Sequence, residues 1–316
     1  MKACIIEAFG GRDQLRMAEL PTPEAGDGEV LIRIRAAGVN PVDYKIREGY
    51  LKDNIPCHFP LILGWELAGE VAAVGHSARR FTVGDEVYAY ARRPVIQNGT
   101  YAEYIALPES YVTFKPANLS MTEAGSIPLT GLTAYQALFQ AGRLQQGESV
   151  FILGASGGVG SSAVQLASNA GAQVIALASG GNRDYLKSLG AHDVIDYERG
   201  DFIQSLGEIV PEGADLVFDC HGGDTLARGQ LCIRPGGRLV SITEVVDEEA
   251  LKQRDVRFTY TFVEPHVPQL DHLRALIEAG RFKPQVTATF PLNKTAEAHA
   301  QMETGHTRGK LVLEIA

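Results

Sequence analysis

The feature that most limits the folds open to this chain is the alternation in its second half of short runs with a continuous apolar centre and helical stretches. From Val150, "VFILGA" reads as a strand and "GSSAVQLASNAG" as a helix, with Gly171 in the place of a C-terminal cap. "QVIALAS", "DVIDY", "ADLVFDC" and "GRLVSIT" read as strands, and "RDYLKSLG", "DFIQSLGEI" and "DTLARGQLCI" as the helices that join them. A strand whose centre is continuously apolar, without polar alternation, is covered on both faces. Such strands joined by helices imply an α/β fold, a doubly wound parallel sheet of the Rossmann type. "VRFTYTFV" adds a strand, while "QLDHLRALIEAG" and "KTAEAHAQMETG" add helices. "GKLVLEI" is a last strand that could rejoin the first part of the chain.

The first ~118 residues follow another grammar. "KACIIEAF", "GEVLIRIRAAGV", "GEVAAVG", "GDEVYAY" and "TYAEYIAL" are short β segments punctuated by Gly and Pro, as in a compact barrel-like domain. The change comes near Ser120, an N-cap candidate with Glu123 at capping-box spacing. Pro128 is expected to kink or break the helix that follows. The expected domains are 1–118, completed by 265–316, and 119–264.

Composition narrows the function. With 316 residues and 45% apolar content, the chain is long enough for two domains. No apolar run reaches the ~18 residues of a membrane span. The opening "MKACIIEAFGG" is too short in apolar residues for a signal peptide, and Glu7 interrupts it. A net charge of −9 argues against nucleic acid as the main partner. Cys4, Cys57, Cys220 and Cys232 are scattered without a C-x-x-C, so the expected compartment is the reducing cytoplasm.

"ILGASGGVGSS" follows a strand and opens a helix. It holds A-x-G-x-x-G at Ala155, Gly157 and Gly160, with Ser156, Gly158 and Val159 completing the loop. Small residues let the backbone approach a pyrophosphate, and the helix N-terminus offers unpaired N–H groups. The alternative is a glycine-rich turn needed only for packing. The same loop also fits G-x-x-x-G-x-G at Gly154, Gly158 and Gly160, beside a Y-x-x-x-K at Tyr111 and Lys115. That short-chain reductase reading fails, because the pair precedes the loop and runs into Pro116. Tyr111 then reads as a strand tyrosine and Lys115 as a surface lysine.

NAD recognition usually places a carboxylate at the end of the second strand. Here that strand ends at Ser179, followed by Gly180, Gly181, Asn182 and Arg183, with no acid at its end. Ser179 and the glycines suit a small anion nest, and Arg183 can add a charge-assisted bond of roughly 1.5–3 kcal/mol. NADPH is therefore the expected cofactor. The alternative for Arg183 is a solvated residue neutralised by Asp184. Tyr197 can cover the adenine or touch the phosphate, or simply end its strand.

These segments, with "AAGVNPVDYKIREG", "LILGWELAGEVAAVG", "LTGLTAYQAL", "RPGGRLVSI" and "RGKLVLEI" in that order, resemble the medium-chain dehydrogenase/reductase superfamily, in its zinc-independent quinone oxidoreductase branch. The resemblance spans essentially the whole chain. It implies a GroES-like β domain plus a Rossmann domain, as a homodimer. Zinc members carry a catalytic Cys in the segment matching "GVNPVDY" and a His in a G-H-E triplet. Here Asn40 and Trp65 hold those places, and "ARRPVIQNGT" lacks the cysteines of a structural zinc lobe. No metal is expected, and Trp65 is expected to fill space beside the vacated position or to pack the barrel.

Without a metal, hydride transfer suits acceptors whose negative charge delocalises, namely quinones and α,β-unsaturated ketones; a plain ketone gives a localised alkoxide that benefits from a Lewis acid. Lys45, Tyr50 and, more weakly, Tyr44 are candidate donors to the acceptor oxygen. The resemblance places Asn40 near the nicotinamide ribose, Thr130 on the nicotinamide side and Lys310 on the cofactor, with surface charge as the alternative for Lys310. Cys220, Thr243 and Phe262 lie at or near Rossmann strand ends, where ligands gather. Asp43, Glu66 and Asp85 read as structural, Arg47 and Lys52 as solvated. His76, His192, His299 and His306 have no pattern. The rival readings are a crystallin-like NADPH-binding protein without turnover and a zinc alcohol dehydrogenase.

Overall fold

The computed structural model describes residues 1–316, which divide into two compact units. One comprises Met1–Leu129 and Glu264–Ala316; the other is Thr130–Val263.

The Thr130–Val263 unit is built on a six-stranded, wholly parallel sheet. Its spatial order is Asp193–Asp196, Gln173–Ala178, Ser149–Leu153, Ala214–Asp219, Ile233–Ser241, Arg257–Tyr260. The order reverses beside Ser149–Leu153, so the carboxyl ends of that strand and of Ala214–Asp219 flank a topological switch point. Every residue of Ser149–Leu153 is buried, which is why its sequence is apolar from Val150 on, with Ser149 bonded to Asp215 at 2.8 Å. Phe151, Leu153, Ile175, Leu177, Val217 and Leu239 form part of one core cluster. The Gly158–Asn169 helix ends before Gly171, whose φ of +76° suits glycine.

The other unit carries a seven-stranded sheet centred on the eleven-residue strand Glu29–Val39, plus a four-stranded sheet that includes Lys2–Ile6 and Cys57–Ile62. The last strand, Lys310–Glu314, pairs antiparallel with Glu29–Val39, setting Leu311 opposite Val39. The final strand does rejoin the first part of the chain. The Val267–Glu278 helix also belongs here: Tyr88 Oη donates to Leu270 O at 2.6 Å, and Thr113 Oγ1 to Asp271 Oδ1 at 2.5 Å.

The capping box at Ser120 and Glu123 is present, with the Ser120 N–H donating to Glu123 Oε2 at 2.9 Å. Pro128 breaks rather than kinks the run: one helix is Met121–Ala124 and the next starts at Pro128. Residues 119–129, expected with the Rossmann domain, lie with the first unit. Leu129 N–H donates to the buried carboxylate of Glu66 at 2.7 Å, and Gly125 packs directly on Ala36. The change in sequence grammar thus precedes the change of unit by about one short helix. Lys115 is not a surface residue. It is buried, donates to Pro116 O (3.1 Å) and Leu119 O (2.5 Å), and pairs with Glu86.

Candidate functional site

In the Rossmann unit, three glycines of the loop have three distinct constraints. Gly154 has φ +72°, a conformation that side chains resist. A Cβ on Gly160 would collide with Gly154 O and come within 2.6 Å of Ala155 Cα, so the helix rests directly on the loop backbone. A Cβ on Gly157 would meet only Gly154 O, at 3.6 Å, which leaves an open face where a phosphate can reach the backbone. Ala155 is buried and donates its N–H to Leu177 O at 3.1 Å, strapping the loop to the next strand. Gly157 is the N-cap of the Gly158–Asn169 helix and has no side chain to cap it. First-turn N–H groups, on Gly158, Val159 and Gly160, have no intrahelical partner, and Ser156 lies just ahead of them. This is an anion cradle of the kind that holds a pyrophosphate.

Ser179 opens a single 3₁₀ turn, Gly180–Asn182, closed by a 2.9 Å bond from Asn182 Nδ2 to Ser179 Oγ. Arg183 is exposed, but its Nη2 donates to Val194 O at 2.9 Å. Tyr197 is 48% exposed and its N–H reaches Ala178 O at 3.3 Å, so it lies beside the same turn. One expectation needs correction. The end of the second strand is not free of carboxylate, because parallel pairing sets Asp196 of the third strand opposite Ala178, and its Oδ2 lies against Gly180. Nothing in the sequence spacing from the glycine loop announces this; the sheet register creates it.

Cys220, Thr243 and Phe262 all lie one or two residues beyond the carboxyl ends of adjacent strands. Burial, with the neighbouring Asp219 carboxylate, pushes the Cys220 thiol well above its ordinary range, so it stays protonated. Thr243 donates its hydroxyl to buried Asp219 at 2.5 Å. Asp219 also accepts from His221 N, Gly222 N and Ser241 Oγ, at 2.8–3.0 Å, and so fixes this end of the sheet. No motif in the sequence singles out Asp219. Phe262 is half-buried, and Thr130 is buried in the Pro128–Tyr135 helix.

In the other unit, Asn40 caps the Pro41–Arg47 helix, and its N–H donates to Asp43 Oδ2 at 2.7 Å. The Asn40 amide is turned inward. Nδ2 donates to Glu66 Oε1 (2.8 Å), while Oδ1 accepts from Lys310 Nζ (2.5 Å). Lys310 also donates to Glu66 Oε1 (2.6 Å) and Val39 O (3.1 Å). All three ammonium donors are therefore spent, and Lys310 is 4% exposed. Lys310 is corrected from a cofactor contact to the counter-ion of fully buried Glu66. Gly38 has to be glycine here, because a Cβ would overlap the Glu66 carboxylate. Asp43 is also fully buried. Tyr101 Oη donates to its Oδ2 at 2.8 Å, and its Oδ1 has no partner. Burial raises Asp43 to about 7, with the Asn40 N–H, the Tyr101 hydroxyl and Lys310 pulling it back. Asp85 makes the expected turn bond, from Thr82 N–H at 2.8 Å.

These residues do not suit zinc. Asn40 is locked by an ammonium, and Trp65 is 5% exposed and packs edge-on to Tyr90, with ring centroids 6.4 Å apart. Trp65 therefore serves the barrel interior.

The candidate donors sit on and just after the Pro41–Arg47 helix. Lys45 is half-buried, with no hydrogen bond or ion pair on its ammonium. Tyr50 is 71% exposed, and its N–H donates to Lys45 O at 3.0 Å, which ties the two together. Tyr44 is half-buried, and burial with Glu48 and Glu303 nearby raises its hydroxyl's pKa, so it remains a donor. Arg47 is not solvated. It is 1% exposed and its guanidinium binds Gly10 O, His299 Nδ1, Glu303 (2.7 Å) and Glu48. His299, which the sequence left without a partner, is its buried acceptor. Burial, together with Arg47 and Arg12, pushes the imidazole down to about 3. Neutral His299 accepts at Nδ1, a tautomer assigned from the Arg47 donor.

Residues 26–117 match the alcohol dehydrogenase GroES-like domain family, and residues 189–313 match the zinc-binding dehydrogenase family. The chain is 33% identical over 322 residues to the Arabidopsis thaliana NADPH-dependent alkenal/one oxidoreductase, chloroplastic, covering 99% of this chain and 79% of that one. It superposes on the Coxiella burnetii quinone oxidoreductase with a TM-score of 0.90 at 34% identity, covering 100% and 99% of the two chains. A structure titled NAD-dependent alcohol dehydrogenase gives a TM-score of 0.92 at 31% identity, with both chains covered in full.

Proposed function

The chain belongs to the medium-chain dehydrogenase/reductase superfamily, among its quinone and enone reductases, and from that premise we propose an NADPH-dependent reductase of quinones or α,β-unsaturated carbonyls that works without zinc. The observation that carries the reading is the uncapped helix N-terminus behind Gly157, open on the side where a Cβ would stand. Gly158, Val159 and Gly160 N–H groups would hold the pyrophosphate, with Ala155 and Ser156 shaping the loop. Ser179, Asn182 and Arg183 would meet the 2′-phosphate, and Tyr197 the adenosine. Cys220, Thr243, Phe262 and Thr130 would bound the nicotinamide side.

The bound nucleotide supplies a hydride. The chain supplies donors at the acceptor oxygen: Lys45 and Tyr50 first, and Tyr44 second. A quinone or enone spreads the incoming charge, so ordinary hydrogen-bond donors suffice where a plain ketone would benefit from a Lewis acid. Asn40 and Lys310 act one step back, holding Glu66 and the start of the donor-bearing helix. No helix is long and apolar enough to cross a membrane. We place the protein in the cytoplasm on its four unpaired cysteines, and as a homodimer on family resemblance.

The test is nucleotide oxidation with a panel of quinones and enones. The reading expects turnover with at least one of these classes. Tight NADPH binding with no oxidation across the panel would instead favour a non-catalytic, crystallin-like protein.

A further inference from the structure

The carboxylate of Asp196 borders the turn assigned to the 2′-phosphate. Its strand partner is Ala178, the residue before Ser179, and its side chain is only 11% exposed. Oδ1 is fixed by the Glu198 N–H at 3.0 Å. Oδ2 faces the turn, where a Cβ on Gly180 would collide with it, and lies 3.3 Å from Nε of Arg199. Arg199 is 86% exposed, so its compensating charge is open to salt. Arg183, the cation that follows the turn, is tied by one N–H to Val194 O.

A ribose 2′-hydroxyl is neutral and can donate to a carboxylate; a 2′-phosphate is an anion and is repelled by one. We propose that Asp196 is a specificity-determining residue that holds down the preference for the 2′-phosphorylated nucleotide, so that NADH is accepted beside NADPH, with Arg199 as its counterweight. This rests on the nucleotide reading above and extends it to selectivity. Gly180 is part of the device, since any side chain there would displace Oδ2 from the turn.

Calorimetric titration of the purified protein tests it without turnover. The ligands are NADPH, NADH, adenosine 2′,5′-bisphosphate and 5′-AMP; the proteins are wild type, Asp196→Asn and Arg199→Ala. Asparagine keeps the Oδ1 acceptor for Glu198, and Arg199 is at the surface, so both variants should fold. Asp196→Asn is expected to raise the NADPH-to-NADH affinity ratio roughly five- to tenfold, and the bisphosphate-to-AMP ratio alongside it. Arg199→Ala should lower both ratios, about two- to threefold, with the change shrinking as salt rises. An Asp196→Asn ratio that is unmoved or lowered, while wild type binds NADPH, overturns the inference and leaves the nucleotide reading standing. Wild type that binds none of the four ligands overturns both.

Discussion

Lys45 carries its ammonium half-buried and unpaired, whereas Arg47, two residues on, has every side of its guanidinium engaged. One helix therefore presents a free cation beside a structural one. If Lys45 and Tyr50 donate to the acceptor oxygen, Lys45→Met and Tyr50→Phe should each lower kcat by about a hundred- to a thousandfold, in line with loss of an oxyanion donor, and leave the NADPH dissociation constant unchanged. Steady-state kinetics and nucleotide binding read the two effects separately; unchanged kcat in both variants would remove these residues from the chemistry. Asp43 and His299 make opposite claims on stability. Between about 4 and 7 the folded chain keeps a proton on Asp43 that the unfolded chain releases, so this group costs stability as pH rises. From about 3 to 6.5 the unfolded chain protonates a histidine that the folded chain holds neutral, so stability rises with pH. The two slopes oppose each other from about 4 to 6.5. Urea melts should show Asp43→Asn gaining stability across that window by on the order of a few kcal/mol more than wild type. Parallel pH curves for the two proteins would contradict the assignment.

At the scale of elements, the glycine loop separates binding from folding. Gly157→Ala adds a methyl on the open face, with φ −73° already suited to alanine. It should weaken NADPH about tenfold or more with Tm unchanged. Gly160→Ala forces a Cβ into the loop backbone and should destabilise by about 1–3 kcal/mol, seen as a lower Tm. If the two variants behave alike, the loop has no distinct phosphate face. The Pro41–Arg47 helix is pinned at its far end by Arg47, so Arg47→Met leaves Glu303 without its buried cation and should cost roughly 3–5 kcal/mol in chemical denaturation. What the sequence revealed divides along the same line. The strands at 149–153, 173–178 and 214–219 were legible because burial on both faces makes their central positions apolar, with polar residues only at or next to the strand ends, and the capping box at Ser120 because it is local. Arg47 with His299, Lys310 with Glu66 and Asp196 with Gly180 were not. Those contacts join residues 16 to 252 positions apart, and only the closed barrel or the sheet register creates them.

For the whole molecule, the proposed function makes one unit the holder of a nucleotide and the other the bearer of donors for a preactivated acceptor. The family pattern legible in the sequence carried this division, while the position of the boundary, at Leu129 rather than near residue 118, depended on Glu66 reaching forward to Leu129. Chelator treatment should leave activity unaltered if Asn40 and Trp65 have ended metal binding at this place; loss of activity, restored by zinc, would count against it. The most direct measurement follows the label. NADPH deuterated at C4 on either face is mixed with enzyme and a conjugated enone, and the product is read by mass spectrometry. Deuterium is expected on the β-carbon of the saturated ketone from one of the two labelled faces. A product without label from either, or an acceptor left unreduced while quinones also fail to oxidise the nucleotide, would contradict it.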